Sequence, residues 1–284
     1  VSLRELVNRD KILVAPGVYD GITAALVRDA GFHVAYMSGA AVAATAVGHP
    51  DIGLATMTEM VGQAAVINRQ LRIPLIADAD TGFGDVINTV RSVQEYERAG
   101  VAAIQFEDQV FPKRCGHLSD KRVVDAFEFA EKIRASVEAR QRDTLIIART
   151  DALANHGFDD AIRRAQAYVD AGADLIFVEA PQTLEQIAEI PRLVGVPAVF
   201  NLVPSGKTPP VSLGQLQDWG YSVVIAPAAC LAPAVGAVRG SLRRLATDDL
   251  STEGQESPAQ LFAPLGLHYW NSLGASADQE PAHV

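Results

Sequence analysis

Cysteine is nearly absent: of 284 residues only Cys115 and Cys230 carry a thiol, and the two stand in quite different contexts. A scaffold stapled by disulfides is therefore not expected, and with no signal peptide in view the expected setting is reducing and cytoplasmic. Long apolar runs are also missing. No stretch approaches the length of a membrane span, yet 49% of the residues are hydrophobic, so the chain can bury a large core in water as one domain, or one domain with a tail. Basic clusters are absent as well. Lys and Arg number 24 against 34 Asp and Glu, a formal net charge of −10 without a basic stripe. Nucleic acid and anionic membrane are excluded as expected partners, which leaves small molecules.

What is present is an alternation. Apolar runs at 11–17, 33–36, 74–77, 102–106, 145–148, 175–178, 197–200 and 223–225 read as strands. Helical patterns lie between them, at 56–69, 85–99, 125–140, 159–171 and 212–219 among others. The strands are continuously apolar rather than alternating, which is the mark of burial on both faces and hence of a parallel sheet. Eight such units in this length predict an α/β fold, a closed (β/α)₈ TIM barrel. A weak repeat supports the count: Asp29-Ala30-Gly31, Arg98-Ala99-Gly100, Asp170-Ala171-Gly172 and Asp218-Trp219-Gly220 each end a helix on glycine just before a strand. The barrel is expected over residues 1–247. Residues 248–284 are expected to form a polar linker, an apolar helix carrying Leu261, Phe262, Tyr269 and Trp270, and a disordered tail from Ser276. Such a helix packs either on a partner subunit or on its own barrel.

In a barrel of this kind the C-terminal strand ends share one mouth, where the active sites of the fold are found. The polar residues at those ends are Ser38 and Gly39, Asp78 and Asp80, Glu107, Arg149, Glu179 and Asn201. Three carboxylates in one mouth repel one another unless a cation lies between them. All-oxygen ligation by Asp78, Asp80 and Glu107, without a His or Cys set, suits Mg²⁺ or Mn²⁺ rather than Zn²⁺, and Asp51 could add a fourth carboxylate through water. Arg149 is a planar fork for a carboxylate, and Ser38-Gly39-Ala40 offers a hydroxyl and backbone amides for another. The substrate expected is an anion with more than one carboxylate.

The stretch from Phe106 to His117 leaves its strand abruptly for carboxylates, cations, a thiol and an imidazole. Cys115 lies among Lys113, Arg114, Gly116 and His117, with no apolar face to fill. Those neighbours suit a thiol poised near its pKa and used for proton transfer or as a nucleophile, and they bind carboxylates: Arg114 is expected to hold substrate, and Lys113 to balance the charge developing beside the thiol. His117 reads as a hydrogen-bond donor to substrate rather than a metal ligand. The long polar connection at 108–124 is expected to close over bound substrate.

Tyr36-Met37-Ser38-Gly39, Asp78-Ala79-Asp80-Thr81-Gly82-Phe83-Gly84, Glu107-Asp108 and Lys113-Arg114-Cys115-Gly116-His117 together resemble the isocitrate lyase and phosphoenolpyruvate mutase superfamily, over about residues 13–246. The Lys-Arg-Cys-Gly-His run resembles its carbon–carbon lyases, the 2-methylisocitrate and 2,3-dimethylmalate lyases. The resemblance implies Asp78 as the main metal carboxylate, with Asp80, Glu107 and Asp51 holding its waters, and Tyr36 close to the reacting hydroxyl. It implies a substrate pocket of Ser38, Gly39, Gly116, His117, Arg149, Glu179 and Asn201. It also implies a homotetramer that exchanges its last barrel helix. Two departures bear on substrate: Asn201 runs on through Gly206-Lys207-Thr208-Pro209, nearer the dimethylmalate lyase and oxaloacetate hydrolase branch, and the eighth strand runs into Ala226-Pro227-Ala228 without the arginine often found there. The activity expected is Mg²⁺-dependent cleavage of a 2-hydroxy di- or tricarboxylate into an α-keto acid such as pyruvate and a second carboxylic acid. The alternatives are oxaloacetate hydrolysis and a catalytically silent barrel that binds dicarboxylates.

Overall fold

A computed structural model describes residues 1–116, 121–204, 206–251 and 254–277. Eight parallel strands close into a barrel in sequence order: β1 (Leu13–Val18), β2 (Ala35–Met37), β3 (Leu75–Asp78), β4 (Ala103–Glu107), β5 (Leu145–Thr150), β6 (Leu175–Val178), β7 (Ala198–Asn201) and β8 (Tyr221–Ala226), with β8 pairing back onto β1. All eight expected strands are present, displaced by a few residues at most. The helices are α1 (Leu3–Val7), α2 (Gly21–Asp29), α3 (Gly39–Val42), α4 (Met57–Leu71), α5 (Val86–Arg98), α6 (Ala126–Ala139), α7 (Leu153–His156), α8 (Phe158–Asp170), α9 (Leu184–Val194), α10 (Leu213–Trp219), α11 (Leu231–Ala246), α12 (Pro258–Phe262) and α13 (Leu267–Ala277).

Local chemistry sets where the helices begin. Side chains of Asp20, Thr56, Asp85, Asp125, Thr183 and Ser212 accept from backbone amides in the first turns of α2, α4, α5, α6, α9 and α10. Each such cap is worth about 1 kcal/mol and fixes where the chain turns back along the barrel. The four glycines of the repeat all have positive φ, as the turn back into a strand requires.

Two apolar layers result. One lies between the sheet and its helices and contains Ile104, Phe106, Ile146 and Ala148. The other fills the barrel with Tyr36, Ile76, Ala103, Leu145, Ile147, Phe177, Val199 and Ile225, and includes Leu3, Leu6 and Val7 of α1. Successive residues of a strand alternate between these layers. Continuing the inner set by two residues reaches Ser38 from Tyr36, Asp78 from Ile76, Arg149 from Ile147, Glu179 from Phe177 and Asn201 from Val199. The barrel's own pleat therefore aims the polar strand ends at one mouth.

Beyond the barrel, α11 buries none of its residues, and Val238, Leu242 and Leu245 are exposed along it. Phe262, Tyr269 and Trp270 are exposed too. Helix α13 continues through Ala277, past the Ser276 at which order was expected to end, because apolar and small residues carry the helical pattern on. The rest of that expected tail, 278–284, lies outside the described residues. No helix among the described residues is long and apolar enough to cross a membrane.

Candidate active site

A cavity of about 210 Å³ opens at the C-terminal mouth of the barrel. Of the residues singled out in the sequence, Tyr36, Ser38, Ala40, Asp51, Asp78, Lys113, Cys115, Gly116, Arg149, Glu179 and Asn201 line it. Asp80 and Glu107 are buried but do not line it, and Gly39 lies against Asp78. Arg114 does not belong to the mouth. Its side chain is exposed, and its backbone N–H donates to Gln109 Oε1 (3.0 Å) while its carbonyl accepts from Gln109 Nε2 (2.8 Å). In an irregular loop adjacent residues diverge, so Lys113 turns inward and Arg114 out. His117 lies outside the described residues.

Of the connection at 108–124, the described residues Lys113, Cys115 and Gly116 line this mouth. The two ends of the connection are laced together by Val110 N–H donating to the Arg122 carbonyl (2.8 Å) and Val124 N–H to the Asp108 carbonyl (2.9 Å). Cys115 is half-buried, unbridged, and its backbone N–H donates to the Asp51 carbonyl at 3.2 Å. Ser38 caps α3, its Oγ accepting from Ala41 N–H at 3.3 Å, so its hydroxyl is already partly engaged.

The carboxylates do not converge on one point as expected. Among the described residues no three His, Cys, Asp or Glu side chains are grouped tightly enough to hold a metal ion by themselves. Lys113 stands among them, buried with its Nζ 2.6 Å from Asp51 Oδ1 and 2.8 Å from Asp80 Oδ1. Burial opposes its charge, but Asp80, Glu107, Asp51 and Asp78 hold its pKa well above the ordinary lysine range. Burial, only partly offset by Lys113, pushes Asp80 up to about 6. Burial likewise raises Glu107, against the attraction of Arg149, whose Nε is 3.4 Å away. Both Glu107 carboxylate oxygens are buried without a hydrogen-bond partner. Those unpartnered oxygens, near Asp78, fit a hard divalent cation that takes few direct protein ligands and keeps most of its waters.

Asp78 is closely confined. Its Oδ1 accepts from Asp80 N–H (3.1 Å) and Gln105 Nε2 (3.5 Å), and a Cβ at Gly39 would stand 2.5 Å from its Oδ2. Gln105 also accepts from the Tyr36 hydroxyl at 3.4 Å, and burial, reinforced by Asp78, holds that phenol well above its ordinary pKa. Sequence reading missed Gln105, although it is a polar residue inside an apolar strand two positions before Glu107.

Two further residues were missed. Asp151 is fully buried and takes Arg149 in a two-pronged pair, Nε to Oδ2 at 2.8 Å and Nη2 to Oδ1 at 3.1 Å. Lys121 Nζ donates to the same Oδ1 at 2.6 Å. Although burial favours the protonated acid, Arg149 and Lys121 hold Asp151 down at about 2. Asn201 Nδ2 lies 3.3 and 3.2 Å from the two Glu179 oxygens. A side chain at Gly116 would meet Glu179 Oε1 at 2.2 Å and Arg149 Nη2 at 2.5 Å, so only glycine lets the loop approach so closely.

Chemically the mouth joins an oxygen donor set, a carboxylate-binding fork, a buried ammonium and a thiol. The remaining wall is apolar: Val203, Ile225, Pro227 and Leu231.

Comparison with known proteins agrees with this geometry. The phosphoenolpyruvate phosphomutase family model matches residues 3–246. The chain is 46% identical over 243 residues to a 2-methylisocitrate lyase of Aeropyrum pernix, covering 86% of this chain and 78% of that one. It is 43% identical over 249 residues to a 2,3-dimethylmalate lyase of Eubacterium barkeri, covering 87% and 86%. Among solved structures, an oxaloacetate acetylhydrolase in complex with 3,3-difluorooxalacetate is similar with a TM-score of 0.93 at 38% identity, over 98% of this chain and 97% of that one.

Proposed function

Because the chain belongs to the phosphoenolpyruvate mutase and isocitrate lyase superfamily, whose carbon–carbon lyases and mutases act on small di- and tricarboxylates, we propose that it cleaves the C2–C3 bond of a small dicarboxylate bearing oxygen at C2. The observation that carries this reading is the single cavity of about 210 Å³ in which Asp78, Arg149, Lys113 and Cys115 meet. That volume is below the ordinary range for drug-sized ligands and suits an acid of four to six carbons. Its described lining holds two cationic side chains, and the wall toward β8 is apolar, which favours a dicarboxylate over a tricarboxylate.

Asp78 would hold Mg²⁺ or Mn²⁺, with Asp80, Glu107 and Asp51 binding its waters. When bound, the cation supplies charge stabilisation for the oxyanion at C2 and the adjacent carboxylate. Arg149 pairs with a substrate carboxylate, Ser38, Gly39, Ala40 and Gly116 contribute backbone and hydroxyl donors, and Glu179 with Asn201 completes the wall. Tyr36 lies beside the reacting oxygen. As the C2 oxyanion collapses to a carbonyl, C3 leaves with the electron pair as a carbanion delocalised into its own carboxylate. Cys115 gives that carbon a proton, and Lys113 balances the charge that develops.

Two substrates fit this scheme. Hydrolysis of oxaloacetate, cleaved as its C2 hydrate to oxalate and acetate, is the better supported, by the small cavity and by a likeness to oxaloacetate acetylhydrolase that spans nearly the whole chain. Cleavage of a 2-hydroxy acid such as 2,3-dimethylmalate is the second reading, favoured by the apolar wall, which would receive substituents on C3. A panel of oxaloacetate, 2,3-dimethylmalate, 2-methylisocitrate and isocitrate, assayed with Mg²⁺ for oxalate and for 2-oxo acids, separates them. Oxalate from oxaloacetate alone supports the first, a 2-oxo acid from dimethylmalate the second, and turnover only of the tricarboxylates refutes the preference for a dicarboxylate. The exposed apolar faces of α11 and α13 support self-association, for which the family resemblance implies a homotetramer, and light scattering would test it.

A further inference from the structure

Lys121 stands six residues beyond Cys115 and is buried, although it does not line the cavity. Its Nζ donates to the Gly116 carbonyl at 2.6 Å and to Asp151 Oδ1 at 2.6 Å. Asp151, which also does not line the cavity, is held in turn by its backbone N–H donating to Asp108 Oδ1 at 2.9 Å. Its two oxygens grip Arg149 through Nε and Nη2. One carboxylate therefore fixes both the fork that faces the substrate and, through Lys121, the peptide next to the thiol. We propose that Lys121 and Asp151 are a positioning pair that holds Cys115 in register with Arg149. This rests on the roles of Cys115 and Arg149 given above.

The energetics favour positioning over stability. A buried ion pair is poor evidence of stabilisation, because desolvation offsets most of the attraction. A reacting group displaced by about 1 Å, in contrast, loses about 100-fold in rate. Without Lys121 the Gly116 carbonyl loses its tie to Asp151, and Cys115 loses one of the restraints on its position. Arg149 keeps both of its bonds to Asp151, so the main carboxylate contact is retained and any loss of affinity is limited to the Gly116 contact. Removal of Lys121 should thus lower kcat and leave KM, and the affinity for oxalate, nearly unaltered.

The test uses the whole protein with Mg²⁺, comparing wild type, Lys121→Met and Lys121→Arg. Alkylation of Cys115 by iodoacetamide, followed by peptide mass spectrometry with Cys230 as internal reference, reports the loop without turnover. Oxalate should slow Cys115 alkylation at least about 10-fold in the wild type and less than about 2-fold in Lys121→Met, while the oxalate Kd stays within about 3-fold and kcat falls about 10- to 100-fold. Lys121→Arg, which retains charge and donors, should restore both protection and kcat. If Lys121→Met does not fold, Lys121→Gln is carried through the same measurements. Equal protection in wild type and the neutral variants, or a loss of kcat matched by loss of oxalate affinity, overturns the proposal. Absence of protection in the wild type instead overturns the placement of Cys115 in the ligand site, and the pair's role with it.

Discussion

Replacing Gly39 by alanine adds one methyl group at the point where α3 meets Asp78. The new Cβ would lie 2.5 Å from Asp78 Oδ2, and ordinary contact begins near 3.4 Å, so the carboxylate must retreat by about 0.9 Å or α3 must move. Neither is easy. Asp78 is only 5% exposed, and its Oδ1 is held by Asp80 N–H and Gln105 on the far side. Overpacking of this kind costs about 1–3 kcal/mol, so the barrel should remain folded. Metal ligation is far less tolerant, since ligand distances hold to about 0.2 Å and disturbance of a site's supporting shell costs about 10- to 100-fold in affinity. Gly39→Ala should therefore weaken Mg²⁺ or Mn²⁺ by about that factor and lower kcat/KM about 100-fold at saturating metal. Calorimetric titration with Mn²⁺ measures the first and steady-state kinetics the second. Gly62→Ala is the control, because a Cβ at that position in α4 meets nothing within 4 Å. Wild-type metal affinity and activity in folded Gly39→Ala would refute both the confinement of Asp78 and its assignment as the principal ligand.

Asp78→Ala, which removes that ligand outright, should lower cleavage by several orders of magnitude, and excess chelator should reproduce the loss in the wild type; undiminished turnover in chelator would remove the metal from the account. Asp151 gives a pH signature. Its folded pKa of about 2 lies below the ordinary 3.8, so its pairing with Arg149 and Lys121 makes a pH-dependent contribution to stability that is present above about pH 4 and lost as pH falls toward 2. The difference in urea midpoint between wild type and Asp151→Asn should be largest near neutrality and should shrink below pH 4; a difference that does not depend on pH would show that the charge is not what matters.

The barrel and its mouth were legible in the sequence because two regularities coincide. Apolar runs separated by helical patterns mark the strands, and the two-residue period then carries each inner face onto a polar strand end, as in Ile147 to Arg149 and Phe177 to Glu179. The same period would have reached Gln105 and Asp151, each two residues from a residue that was singled out. What could not be read was the irregular connection after β4, where no periodicity relates neighbours. Nothing local says that Lys113 reaches between Asp51 and Asp80 or that Arg114 faces away. Nor does anything local say that Lys121 turns back to the Gly116 carbonyl. Those placements depend on hydrogen bonds and ion pairs outside any repeating pattern, some between segments as far apart as the 62 residues that separate Lys113 and Asp51.

The central claim is that Cys115 supplies the proton that completes carbon–carbon cleavage. Serine is nearly isosteric but far too weak an acid to replace it. The direct measurement is the cleavage rate of Cys115→Ser on the substrate turned over by the wild type, taken together with the oxalate Kd in Mg²⁺. Cleavage should fall by about three orders of magnitude while oxalate binds as in the wild type. A Cys115→Ser enzyme that cleaves at close to the wild-type rate would contradict the account.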